Sequence, residues 1–261
     1  MAERLARKMQ EITSTTNNQI KETVKLHQRK YRAEKKLFLI EGEKPIKEAF
    51  KENVEIITLY TTQRYLAKFD FLKDKTILVN DAIMEKISTT DSQCEAVAIA
   101  KHSVISLQKI KDKTRLALIE NIKDAGNLGT IIRSATAFGI ESIILCEDSI
   151  DLYNPKVVRS TVGTMFKLPI VKADMAECKK VFSQHNFIAT VVNQPDCIKP
   201  QNIDYSKPFV IMAGSEAFGL SEKAINFANT KTTIPMTDKA ESLNLSVATS
   251  ILFYLSSLHI N

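Results

Sequence analysis

Residues 115–146 read RLALIENIKDAGNLGTIIRSATAFGIESIILC. RLALIE is an apolar run that ends in a carboxylate, as a strand buried on both faces does. Leu128, Ile131, Ile132 and Ala135 then recur at helical spacing, Gly139 stands where a helix C-terminal cap belongs, and ESIILC starts a second buried strand. The alternation continues towards the C-terminus. VFSQHN closes a helix, FIATVV and FVIMA are two more strands, and KTTIPM ends another. Ala248, Ile251, Leu252, Leu255 and Leu258 form one stripe of a final helix. Strands alternating with helices predict an α/β fold with a mostly parallel sheet covered on both faces.

In front of this block the elements are shorter. Residues 1–36 look helical and basic, with ten Lys/Arg against four Asp/Glu, so this stretch accounts for the whole net charge of +6. LFLIEGEKPIKEAF follows, an apolar run from Leu37 to Ile40 stopped at Glu41-Gly42 and then a helix. EIITLY and TILV read as strands, separated by helix-compatible segments such as TTQRYLAKFDFLK. This small alternating α/β domain ends near AVAIA, and KHSVISLQKIKDKT reads as a linker or connecting strand. The expected division is residues 1–105 and 106–261.

The chain has 261 residues, 44% hydrophobic and 25% charged, and no apolar run approaches the roughly 18 residues needed to span a membrane. The start, MAERLARKMQEITS, has no apolar core of the secretory kind, so a cytoplasmic protein is expected. Cys94, Cys146, Cys178 and Cys197 are far apart and read as free thiols, and with no His/Cys/Asp cluster no metal is expected. Lys25, Arg29, Lys30, Arg32, Lys35 and Lys36, around Tyr31, are where a nucleic-acid backbone would be met, or else are a solvated helix face.

Six of the seven glycines fall between residues 126 and 219, nearly all in turns after expected strands, the edge at which open parallel sheets bind ligands. GxGxxG and GxxxxGK[ST] are both absent, which speaks against a dinucleotide or nucleoside triphosphate. Three segments carry the chemistry. In ENIKDAGNLGTIIRSATAFGI, Asn127 and Gly129 open a helix and Arg133 follows with a permanent cation suited to phosphate; Asn127 could equally be a cap and Arg133 a surface ion pair. In FVIMAGSEAFGLSE, Gly214 and Gly219 bracket a turn whose Glu216 could hold a cation or a hydroxyl, or face water. In TTIPMTDKAESLNLSVATS, a strand ends at Ile234-Pro235-Met236, and Ser242 and Asn244 stand at the start of the last helix, which Ser242 could cap.

In this order the segments give N-x-G-x-x-x-R, then G-x-E-x-x-G-L-S, then I-P-M followed by S-L-N-L-S. The set resembles the three motifs of the SpoU (TrmH-like) family of RNA 2'-O-ribose methyltransferases, of the SPOUT class, over residues 115–261. LFLIEGEKPIKEAF resembles the opening of the substrate-binding domain, similar to ribosomal protein L30e, that often precedes this catalytic domain. Ala125 stands where the family usually has Pro, and Glu120 where it has Asp.

The resemblance implies S-adenosylmethionine as cofactor, held at Gly214, Glu216, Gly219, Ile234, Met236, Ser242 and Leu243, with Leu243 packing on the adenine. It implies a deep trefoil knot over about residues 210–245, an exception to the rule that chains do not thread loops, and a homodimer. The catalytic set it implies is Asn127, Arg133, Glu216, Ser242 and Asn244. A guanidinium hardly deprotonates in proteins, so Arg133 is expected to stabilise the developing alkoxide, with phosphate or water taking the proton. The expected substrate is ribosomal RNA before transfer RNA. The alternatives are a non-catalytic RNA-binding protein and a SPOUT enzyme that methylates a base.

Overall fold

A computed structural model of the chain describes residues 9–90, 93–192 and 194–259. The front of the basic stretch, residues 1–8, lies outside them. The chain forms two compact units. One holds the residues up to Ser103 together with Leu152–Gly163, the other Val104–Asp151 together with Thr164 onward.

The first unit runs β1 (Gln10–Ile12), α1 (Asn18–Lys25), α2 (Arg29–Lys35), β2 (Leu37–Glu41), α3 (Glu43–Lys51), β3 (Ile56–Thr61), β4 (Thr76–Val79), α4 (Asp81–Ile87) and β5 (Ala96–Lys101). Its sheet has the order β1-β4-β3-β5-β2, with β1 and β3 parallel to β4, and β5 antiparallel to β3 and β2. The expected helical start therefore contains a short strand, because Ile12 is buried beside Ile77 and Val79 in the core. TTQRYLAKFDFLK also departs from a regular α-helix. Leu66–Lys75 forms 3-10 turns kinked at Phe69 and Leu72, two buried side chains whose spacing of three suits that tighter winding.

Five of the six basic residues singled out in the sequence, Lys25, Arg29, Lys30, Lys35 and Lys36, are exposed. Lys25 and Lys35 lie over the Tyr31 ring at 5.6 and 5.5 Å. Arg32 is the exception. It is 2% exposed, and its Nη1 donates to the carbonyls of Leu26 and His27 at 2.8 Å each. Its guanidinium satisfies the carbonyls left open at the end of α1 and is not available to a phosphate.

The second unit begins with β6 (Arg115–Glu120), α5 (Ala125–Ala137) and β7 (Ser142–Cys146). Gly139, at φ +74°, ends α5, and the Ile140 N–H reaches back to the Ala135 carbonyl at 2.9 Å, a left-handed cap that glycine adopts at least cost. The chain then leaves for α6 (Pro155–Ser160), which packs on β2 of the first unit. Arg159 Nη1 meets Glu41 Oε2 at 3.3 Å, where the Glu41 side chain is 2% exposed and also accepts from the Thr89 hydroxyl at 2.7 Å. The Tyr153 ring stacks on His102 at 3.9 Å, and its hydroxyl donates to the Ser103 carbonyl at 2.8 Å. Residues 152–163 lie far beyond residue 105, yet they complete the first unit.

Back in the second unit follow β8 (Ile170–Lys172), α7 (Met175–Val181), β9 (Asn186–Thr190), β10 (Phe209–Ala213), α8 (Glu222–Phe227), β11 (Thr230–Thr232) and α9 (Leu245–Ser257). All six strands are parallel, in the order β11-β9-β10-β6-β7-β8. Every residue of β7 and β10 is buried, as strands covered on both faces must be.

The final helix turns differently from the stripe read in its sequence. Its buried residues are Ser246, Thr249, Leu252, Phe253 and Ser256, while Ala248, Ile251 and Leu255 are half-buried and Leu258 is exposed. The small hydroxyl residues satisfy themselves on their own helix: Thr249 donates to the Leu245 carbonyl at 2.7 Å and Ser256 to that of Phe253 at 2.8 Å. That lets α9 approach α5 closely, and Ser250 meets Ser134 at 2.7 Å.

Candidate active site

β6 and β10 are neighbours, with Ile119 opposite Ala213, so the loops that follow them start side by side at the carboxyl edge of the sheet. Connections leave these two strands in opposite directions across the sheet, and such a switch point is where open parallel sheets hold ligands. Glu120 ends β6 buried, and its carboxylate accepts from the Ser221 N–H at 2.8 Å and the Ser221 hydroxyl at 2.7 Å. Ser221 in turn caps α8 through the Ala224 N–H.

After β10 the chain reverses within five residues. Ser215 N–H donates to the Gly219 carbonyl at 3.0 Å, and Gly219 N–H to the Ser215 carbonyl at 2.9 Å. Gly214 is pressed against this return: a Cβ there would lie 2.0 Å from the Gly219 carbonyl and 2.1 Å from Leu220 N, so no other residue fits. Gly219 sits at φ +67°.

Glu216, at the tip, does not simply face water. Its carboxylate accepts from Asn127 Nδ2 at 3.0 Å, the Asp124 N–H at 3.2 Å and the Lys123 N–H at 3.4 Å. Asn127 Oδ1 accepts from Asn244 Nδ2 at 3.0 Å. Asn244 Oδ1 then takes the Ser246 N–H at 2.9 Å and that of Val247 at 3.3 Å, the opening turn of α9. The three sequence segments are thereby joined by one run of hydrogen bonds. Burial opposes the charge on Glu216, but the bond from Asn127 and those from the backbone outweigh it and hold the carboxyl below the usual carboxylate range.

Two capping assignments change. α5 is capped by Asp124, whose Oδ1 takes the Asn127 N–H at 2.7 Å, which frees the Asn127 side chain for its bridge. α9 is capped by Asn244, and Ser242 is exposed and makes no hydrogen bond among the described residues. Asp124 was not singled out in the sequence, although an acidic residue just ahead of the first helical position was the available signal; Glu120 was noted as closing its strand where the family has Asp, but its bonds to Ser221 were not foreseen.

Arg133 lies on α5 more than one turn past Asn127, exposed, and forms no ion pair among the described residues. β11 ends at Thr232, so Ile234-Pro235-Met236 belongs to the irregular chain before α9 and not to a strand. Ile234, Met236 and Leu243 are half-buried, and their main-chain groups make no backbone hydrogen bond among the described residues. Open N–H and C=O groups beside partly covered apolar side chains are what a flat, polar-edged nucleoside needs, so these residues fit the adenosine and methionine parts of S-adenosylmethionine.

The model of the SpoU rRNA methylase family matches residues 114–254, and that of the MRM3-like substrate binding domain residues 17–98. The chain belongs to the SpoU rRNA methylase family. It is 28% identical to the 23S rRNA (guanosine(2553)-2'-O)-methyltransferase RlmP of Bacillus subtilis, over 94% of this chain and 98% of that protein. It is also 28% identical to the 23S rRNA (uridine(2479)-2'-O)-methyltransferase of Streptomyces viridochromogenes, over 83% and 81%. Among solved structures, an AdoMet-bound rRNA methyltransferase from Sinorhizobium meliloti superimposes with a TM-score of 0.87 at 30% identity, covering 97% of this chain and 99% of that one. In this SpoU family member Glu216, Asn127 and Asn244, one from each of the three sequence segments, are linked in space.

Proposed function

We propose that this SpoU family member transfers the methyl group of S-adenosylmethionine to a ribose 2'-hydroxyl of ribosomal RNA. The observation that carries the reading is Arg133, exposed and with no ion pair among the described residues, on the helix whose first turn holds the bridge from Glu216 through Asn127 to Asn244.

When bound, S-adenosylmethionine supplies a methyl group on a sulfonium sulfur, open to in-line attack. The chain's own task is to hold the reactants in line and to lower the energy of a negative charge growing on a very weakly acidic hydroxyl oxygen. Arg133 meets that charge with a fixed positive fork. Because its guanidinium keeps its protons, the hydroxyl proton leaves to water or to a phosphate of the RNA. The bridge fixes the start of α5, and with it the direction of Arg133. The exposed Ser242 hydroxyl, which has no hydrogen-bond partner among the described residues, would hydrogen-bond the target ribose. Main-chain groups around Gly214, Glu216, Gly219, Ile234 and Met236, with Ser242 and Leu243, would hold the cofactor, the apolar Leu243 side chain serving the adenine.

The first unit, together with Lys25, Arg29, Lys30, Lys35 and Lys36, holds the RNA by its phosphates. The resemblance to the SPOUT class is what supports a trefoil knot over about residues 210–245. The outward face of α9, with Val247, Tyr254 and Leu258 exposed, supports a homodimer. The enzyme acts in the cytoplasm, on ribosomal RNA.

The test is transfer of labelled methyl from S-adenosylmethionine to total RNA from a strain lacking the gene, followed by mapping of ribose methylation. One 2'-O-methylated ribosomal site, lost with Arg133→Ala, is the expected result. A methylated base, a site in transfer RNA, or no binding of the cofactor would each overturn the corresponding part of the reading.

A further inference from the structure

Phe218 is the most exposed large apolar side chain among the described residues, at 89%. A lone exposed apolar residue on a loose loop needs no explanation, but Phe218 is not on a loose loop. Its N–H is held by the Ser215 hydroxyl at 3.3 Å, and the next residue, Gly219, is locked to Ser215 by main-chain bonds in both directions. Two residues earlier in the same reversal, Glu216 is fixed to the start of α5 by three hydrogen bonds. The ring is therefore carried on a hydrogen-bonded mount, open to water, on the loop whose Glu216 belongs to the bridge of the candidate site.

This placement gives nothing to folding, because an aromatic ring left in water returns none of the stabilisation that burial would give. It does suit a partner with a flat face. Sequence-specific RNA recognition works largely on unstacked bases laid against aromatic side chains, and a ring whose backbone is already fixed loses little freedom on stacking. We propose that Phe218 is a substrate-positioning residue that stacks on a base of the RNA at the modified nucleotide and so sets where the adjacent ribose lies. The inference rests on the methyltransferase reading.

The experiment compares the full-length wild type with Phe218→Ala, Phe218→Leu and Phe218→Tyr, using ribosomal RNA from the strain lacking the gene. Direct RNA binding, methyl-transfer kinetics, cofactor affinity, sedimentation and thermal unfolding are each measured. Phe218→Ala and Phe218→Leu are expected to weaken RNA binding and raise KM for RNA roughly ten- to a hundredfold, the size of one base–aromatic stack. Phe218→Tyr is expected to stay within about threefold of wild type, with cofactor affinity, sedimentation and unfolding unchanged in all three. A leucine variant that binds RNA like wild type overturns the stacking role, as does a loss that runs in parallel with cofactor affinity or with assembly. Wild-type protein that binds the RNA without transferring methyl sinks the enzyme reading but leaves the binding comparison to decide on Phe218; failure to bind RNA overturns both.

Discussion

Asn127 Nδ2 donates to Glu216 Oε1 at 3.0 Å, across 89 residues of chain. The contact lets two loops from neighbouring strands share one charge, and the Asp124 and Lys123 N–H groups converge on the same carboxylate. Glu216→Ala leaves all three donors to water. The site is partly solvated, so the expected loss of stability is modest, about 1 kcal/mol by denaturant unfolding, while methyl transfer falls much further because the start of α5 loses its anchor. Equal losses of fold and activity would contradict a positioning role.

The same carboxylate sets a pH dependence. Glu216 is held below the usual carboxylate range in the folded protein. The unfolded chain therefore binds the proton more readily, and the stabilisation is complete above about pH 4.3 and lost as pH falls through the lower folded value. Glu216→Gln is expected to flatten that part of the stability curve and leave stability near neutral pH slightly reduced. Unfolding midpoints measured from pH 3 to pH 7, read as orders of acidity around that ordinary value, check it; a curve unchanged by the substitution would show that the carboxylate is not linked to folding.

Arg133 is exposed and unpaired among the described residues, so its removal has little to unfold. Arg133→Ala is expected to leave the thermal midpoint almost unmoved and to lower kcat by roughly a hundred- to a thousandfold, the usual effect of deleting one donor to a developing oxyanion. Arg133→Lys restores charge without the planar fork and is expected to fall between the two. Single-turnover transfer with saturating cofactor separates this from weaker RNA binding.

In the first unit, Glu41 is buried and relies on Arg159, together with the Thr89 and Ser88 hydroxyls. Arg159→Ala removes the cation but leaves the hydroxyl donors, so a cost of about 2 kcal/mol is expected, below that of stripping a buried charge completely. The reverse change, Glu41→Ala, is expected to cost at least as much. A fragment ending at residue 105 lacks Arg159 and Tyr153 and is expected to unfold at lower denaturant than the same unit in the whole chain.

The outer face of α9 gives a different kind of prediction. Tyr254 and Leu258 are exposed, and the Tyr254 ring meets Phe138 edge-on at 5.7 Å between ring centres. Tyr254→Glu combined with Leu258→Glu is expected to leave the monomer fold intact and to shift sedimentation from dimer to monomer. A wild type that sediments as a monomer at micromolar concentration would remove the homodimer from the proposed function.

Much of this protein is legible in its sequence. The apolar runs of β6, β7 and β10, and the spacing of Leu128, Ile131, Ile132 and Ala135, determine a parallel sheet covered by helices, because burial on both faces leaves no polar alternation. Gly139 marks the end of α5, and the three motifs identify the residues that meet at the carboxyl edge. What the tertiary structure decided was which group each of them touches. Asp124 and Asn244 took the caps that Asn127 and Ser242 could have taken, Arg32 turned inward to the end of α1, α9 buried its small hydroxyl face, and residues 152–163 joined a unit to which their position in the chain does not assign them. Periodicity records which side of an element is buried, and these outcomes depend instead on distances between groups as far apart in the chain as Arg159 and Glu41, 118 residues, or Asn244 and Asn127, 117 residues, which exist only once the sheets have brought the segments together.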